Sequence, residues 1–61
     1  MLFVLQKVRK RRKLTQLALA KKVGVHEITI SQLECGDRHP SMDLLQRLAK
    51  ALKVNIKDLL Q

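Results

Sequence analysis

The stretch Gln16–Cys35, QLALAKKVGVHEITISQLEC, decides how this chain is read. Apolar or small residues fall at Leu19, Ala20, Val23, Val25, Ile30 and Leu33, and a lone glycine, Gly24, divides the two halves. Ala20 is small enough to let a second helix approach closely. Gly24 supplies the positive φ that a sharp reversal needs. Ile30 and Leu33, three apart, share the inner face of the helix that follows. Two short helices meeting at a glycine with this spacing make a helix-turn-helix unit.

Working outward, the same signals repeat. Thr15 is an N-cap for a helix over Gln16–Val23, because its hydroxyl can accept from the first free backbone N–H groups. The next helix runs Glu27–Cys35 and stops at Gly36, followed by a loop-forming GDRHP segment. Ser41 caps a helix over Met42–Leu52. Asn55 caps a short one over Ile56–Leu60, with Asp58 at the capping-box position. Ahead of the unit, Leu2–Arg12 reads as a first helix with Leu5 and Val8 inward. The expectation is an all-α, compact five-helix domain occupying 1–61. Its core draws on Leu5, Val8, Leu14, Leu19, Ala20, Val23, Val25, Ile30, Leu33, Met42, Leu45, Leu48, Leu52, Val54, Ile56 and Leu59.

Composition narrows the class. A chain of 61 residues lies near the lower size limit for folding without staples. One cysteine, Cys35, allows no internal disulfide and fits a reducing cytoplasm. His26 and His39 are too few and too far apart for zinc, so no metal and no cofactor are expected. No apolar run is long enough to cross a membrane, and MLFVL lies ahead of its charges rather than behind them, unlike a signal peptide. Net charge is +8, and all of it comes from one region: residues 1–22 hold eight basic groups and no acid, whereas 23–61 hold five of each. So concentrated a field points to a polyanion, nucleic acid before an acidic membrane surface. No carboxylate pair, nucleophile–base pair or metal set suggests an enzyme.

From Leu5 to Leu60 the chain resembles the phage Cro/repressor (Xre-type) regulators, whose five-helix domain is lambda-repressor-like. The resemblance is carried by LTQ (Leu14–Gln16), LA (Leu19–Ala20), VGV (Val23–Val25), TIS (Thr29–Ser31), E-x-G (Glu34–Gly36), PS (Pro40–Ser41) and LAKAL (Leu48–Leu52). It implies that the third helix enters the major groove of double-stranded DNA, with Glu27, Ile28, Ser31 and Gln32 reading base edges. Gln16 would meet a phosphate at the second helix's N-terminus, where backbone N–H groups favour an anion. Arg38 and His39 would clamp the backbone on the far side, and Lys10 and Arg11 would approach further phosphates. Arg9 and Glu34 match the family's ion pair between the first and third helices. By chemistry, Gln32 suits adenine, Ile28 a thymine methyl and Glu27 a cytosine amine. Glu27 has a second reading, as a favourable charge in its helix's first turn.

The chain also departs from the family pattern. His26 stands where a serine or threonine usually caps the recognition helix. Lys13 and Lys53 stand where glycine often ends a helix, and Leu17 is apolar at an outward position. Phe3 and Val4 either pack on the fifth helix or form a patch. The implied activity is sequence-specific binding of a pseudo-palindromic operator by a homodimeric transcription regulator, most simply a repressor. The alternative is an antitoxin-type or other interaction module with a small protein partner, using MLFVL and Leu17.

Overall fold

The computed structural model describes residues 3–60, with Phe3 by its backbone alone. Its elements in order are α1 (Phe3–Arg11), α2 (Gln16–Val23), α3 (Glu27–Cys35), α4 (Met42–Leu52) and a 3₁₀ turn (Ile56–Asp58). The start assigned to the first helix at Leu2 falls outside the described residues, as does the Phe3 side chain. Among the described residues there is no strand.

Each boundary has a local cause. Thr15 and Ser41 lie in extended backbone, and their hydroxyls accept from Ala18 N at 3.0 Å and Leu44 N at 3.2 Å. All four α-helices end alike. A residue with positive φ follows the helix (Lys13, Gly24, Gly36, Lys53), and the next N–H reaches back to a carbonyl five residues earlier. This closure satisfies carbonyls that the helix leaves open. Lys13 and Lys53 therefore adopt the left-handed conformation that disfavours a side chain. Gly24 is needed for the same backbone reason, since a Cβ there would touch nothing within 4 Å.

α2 lies at the centre, packed on α3 and α4, while α1 leans on α3 and the 3₁₀ turn closes on α4. Leu5, Leu19, Ile30, Leu33, Leu48, Leu52 and Leu59 are the large side chains fully buried between them. Leu14, Val25, Val54 and Ile56 pack against this core half-buried, and so does Val4.

Two expectations are corrected. Ile56–Leu60 is not a fifth α-helix, because its bonds run from Asp58, Leu59 and Leu60 N–H to carbonyls only three residues back. In that tighter winding residues three apart eclipse, so Ile56 and Leu59 face the bundle together. The Asn55 N–H bond to Asp58 Oδ2, 3.1 Å, holds the turn's start. Met42 is 60% exposed rather than core. It occupies the first helical position, and the inward face of α4 begins further along the helix, at Leu44 and Leu45.

Candidate nucleic-acid interface

The α3 sequence EITISQLEC sorts its residues by helical position. Ile30 and Leu33 are buried against the bundle. Glu27, Ile28, Ser31 and Gln32, spaced i, i+1, i+4 and i+5, fall on one outward face. Glu27 is exposed, Ile28 is 65% exposed, and Ser31 and Gln32 are half-buried. An isoleucine so uncovered contributes nothing to the core.

Behind this face lies a buried polar network. Arg9 Nε donates to Glu34 Oε2 at 2.6 Å and Nη2 to Oε1 at 3.2 Å, with side chains only 8% and 4% exposed. Arg9 Nη1 donates to the Leu14 carbonyl at 2.7 Å, and Gln16 Nε2 to Glu34 Oε1 at 3.0 Å. Among the described residues no buried side-chain nitrogen or oxygen is left without a partner. A buried ion pair is tolerated only when its remaining donors and acceptors are satisfied in this way. The network joins α1, the loop before α2, the first residue of α2 and the later part of α3. It fixes the N-terminus of α2 relative to α3.

Gln16 therefore has a different posture from the one the resemblance implies. Its carboxamide is turned onto Glu34, leaving one Nε2 hydrogen and the open N–H groups at the start of α2 as donors. Arg38 is likewise engaged, its Nε donating to Gln32 Oε1 at 3.0 Å. That bond joins a base-reading candidate to a phosphate candidate. It leaves both Gln32 Nε2 hydrogens and one Oε1 lone pair available. His39 is exposed in the same loop, and Lys10 and Arg11 are exposed in the last turn of α1.

Sequence spacing does not reveal the Gln16–Glu34 and Arg38–Gln32 bonds, because both cross between elements. Nor does it reveal that Arg12 Nη2 turns to the Lys53 carbonyl at 3.3 Å, at the end of α4. His26 adopts the extended cap backbone but forms no side-chain capping bond; the Thr29 N–H donates instead to the His26 carbonyl at 3.0 Å. A glutamate in that first turn, Glu27, suits the helix dipole. The described residues contain no cluster of three or more histidine, cysteine or acidic side chains that could hold a metal. Among the described residues no helix is long and apolar enough to cross a membrane.

Comparison with known proteins agrees with this architecture. A protein of Archaeoglobus fulgidus described as an uncharacterized HTH-type transcriptional regulator is 46% identical over 46 residues, spanning 75% of this chain and 66% of that protein. The helix-turn-helix family model matches residues 5–59, from the buried Leu5 to the buried Leu59. The match takes in α2, the Gly24 turn, α3 and the helices that hold them, so the chain belongs to the helix-turn-helix family of the Cro/C1 (Xre) type.

Proposed function

We propose that this chain is a sequence-specific DNA-binding transcription regulator, acting as a repressor, that lays α3 in the major groove of a duplex. The observation that carries this reading is the contrast across α3. Its outward side chains are uncovered and chemically varied, while a satisfied buried ion-pair network holds it from behind. A reading helix needs that stiffness, because base contacts discriminate only when their donors and acceptors are held in register.

In this mechanism Gln32 meets a base edge with its Nε2 hydrogens, and Arg38 keeps the amide from rotating. Ile28 covers a thymine methyl, and Ser31 bonds either class of base. Glu27 accepts from a cytosine amine at some cost in general affinity, since the phosphates repel it. Arg38, His39, Lys10 and Arg11 meet phosphates, joined by the open N–H groups and spare Nε2 hydrogen at Gln16. Two copies bind half-sites about one helical turn apart, roughly 34 Å.

Selection of bound sequences from a random duplex pool tests the proposal. The expected consensus is an inverted repeat, and Gln32→Ala relaxes one position in each half while costing about 1–3 kcal/mol of discrimination there. With about six phosphates neutralised, log K falls against log salt with a slope near −5. A flat salt dependence or no enriched sequence overturns the reading.

A further inference from the structure

Where α2 and α4 terminate, an open groove of about 460 Å³ is lined by Lys22, Val23, Arg47, Lys50, Ala51 and Lys53. A smaller one continues from it, sharing Lys22, Ala51 and Lys53 and adding Arg12 and Leu14. None of the chain's five acids lines either. Arg47 is paired with Asp43, its Nε 3.2 Å from Oδ2. Among the described residues Lys22, Lys50 and Lys53 form no salt bridge.

Helix-end dipoles explain part of this. Lys22 and Lys50 sit in last turns, where a cation offsets the open carbonyls. Lys53 does not fit that account so simply. It lies beyond the helix with φ 58°, and Arg12 Nη2 donates to its carbonyl at 3.3 Å. Arg12 and Lys53, far apart in sequence, thus meet along the same trough.

We infer that this trough docks an acidic peptide segment of a partner protein, its carboxylates over the cations and its small apolar side chains on Val23 and Ala51. Charge complementarity favours the occupant: Arg12, Lys22, Arg47, Lys50 and Lys53 line the two grooves with no acid among them. Single-stranded nucleic acid is recognised by stacking on aromatics, and no aromatic lines the trough among the described residues. Gln16 and Lys22 stand at opposite ends of α2, separated by about 9 Å along its axis. None of Glu27, Ile28, Ser31 and Gln32, the residues of the outward face of α3, lines the trough. The inference does not depend on DNA binding by that face.

The test is an amide NMR titration of the whole chain with a hexaglutamate peptide, with hexaglutamine as the neutral control, and a separate titration with duplex DNA. Hexaglutamate is expected to shift Lys22, Val23, Lys50, Ala51 and Lys53 most, and hexaglutamine not to. K22Q/K50Q should bind hexaglutamate about fivefold more weakly, as loss of two exposed charge contacts implies. Lys53→Gly removes a charge and the unfavourable φ together, so it should weaken the peptide in a chain at least as stably folded. Shifts spread evenly over the basic surface, or unchanged affinity in both variants, overturn the docking site. So do duplex-induced shifts at these same amides, which would make the trough part of a nucleic-acid surface. A duplex that shifts nothing, with the peptide behaving as expected, overturns the DNA reading and leaves the docking site standing.

Discussion

The two faces of α3 are built on opposite physical terms. The inner face holds Ile30 and Leu33 fully buried and Glu34 locked in a network, so its contacts serve stability. The outer face leaves Ile28 65% exposed and carries Glu27 and Gln32, so its residues cost the fold little or nothing to change. The same nine-residue helix is thus a structural strut on one side and a replaceable text on the other. A scaffold of this kind can alter what it reads without altering how it folds.

Breaking the inner side should have the largest effect. Glu34→Ala strands the buried Arg9 guanidinium and removes the acceptor of Gln16, and should cost about 3–5 kcal/mol. In a domain this small that approaches the whole stability, and a thermal or urea melt reads it directly. A loss below about 1 kcal/mol, the range of exposed pairs, would mean that the network is solvated and the contrast between the faces is false.

The outer side should respond in the opposite currency. Ile28→Ala should leave the melt within about 0.5 kcal/mol of the parent, as surface substitutions do. On the proposed function it should weaken binding of the selected duplex while sparing a scrambled one. An unfolding transition shifted as far as that of Glu34→Ala would show that Ile28 belongs to the core. Between these lies the hinge: Gly24→Ala should destabilise by about 1–2 kcal/mol through φ alone, since the space for a methyl is open. Gly24→Asn, which tolerates that φ better, should recover part of the loss in the same melt.

How much of this contrast could be read from the sequence depends on the range of the interactions. The ends of α2 and α3 and the start of α4 fall where Thr15, Gly24, Gly36 and Ser41 mark them, because caps are local chemistry. The outward positions of Glu27, Ile28 and Gln32 follow from the period of the helix. Winding at Ile56–Asp58 does not, since three or four residues per turn is settled by how Leu59 reaches the core. Met42 sits in register with Leu45 and Leu52 yet is exposed, because periodicity names a face and not how far the bundle covers it. Long side chains are least readable of all. Gln16, Arg38 and Arg12 find partners 18, 6 and 41 residues away, at separations no pattern announces.

The one expected gain over the parent lies at the start of α3, where both faces begin. His26 holds the cap backbone without giving the helix a side-chain acceptor, whereas Thr15 and Ser41 each give one to theirs. His26→Ser should therefore add about 0.5–1 kcal/mol, its hydroxyl accepting from the second or third N–H of α3. The gain should appear in the melt and as slower amide exchange at Ile28, whose N–H has no partner within the helix, with Ile30 and Leu33 packing unchanged. If stability rises and duplex affinity stays level, the cap serves the strut alone. If affinity falls, the N–H groups that His26 leaves open are themselves anion donors at a helix N-terminus, and the weak cap belongs to the reading face.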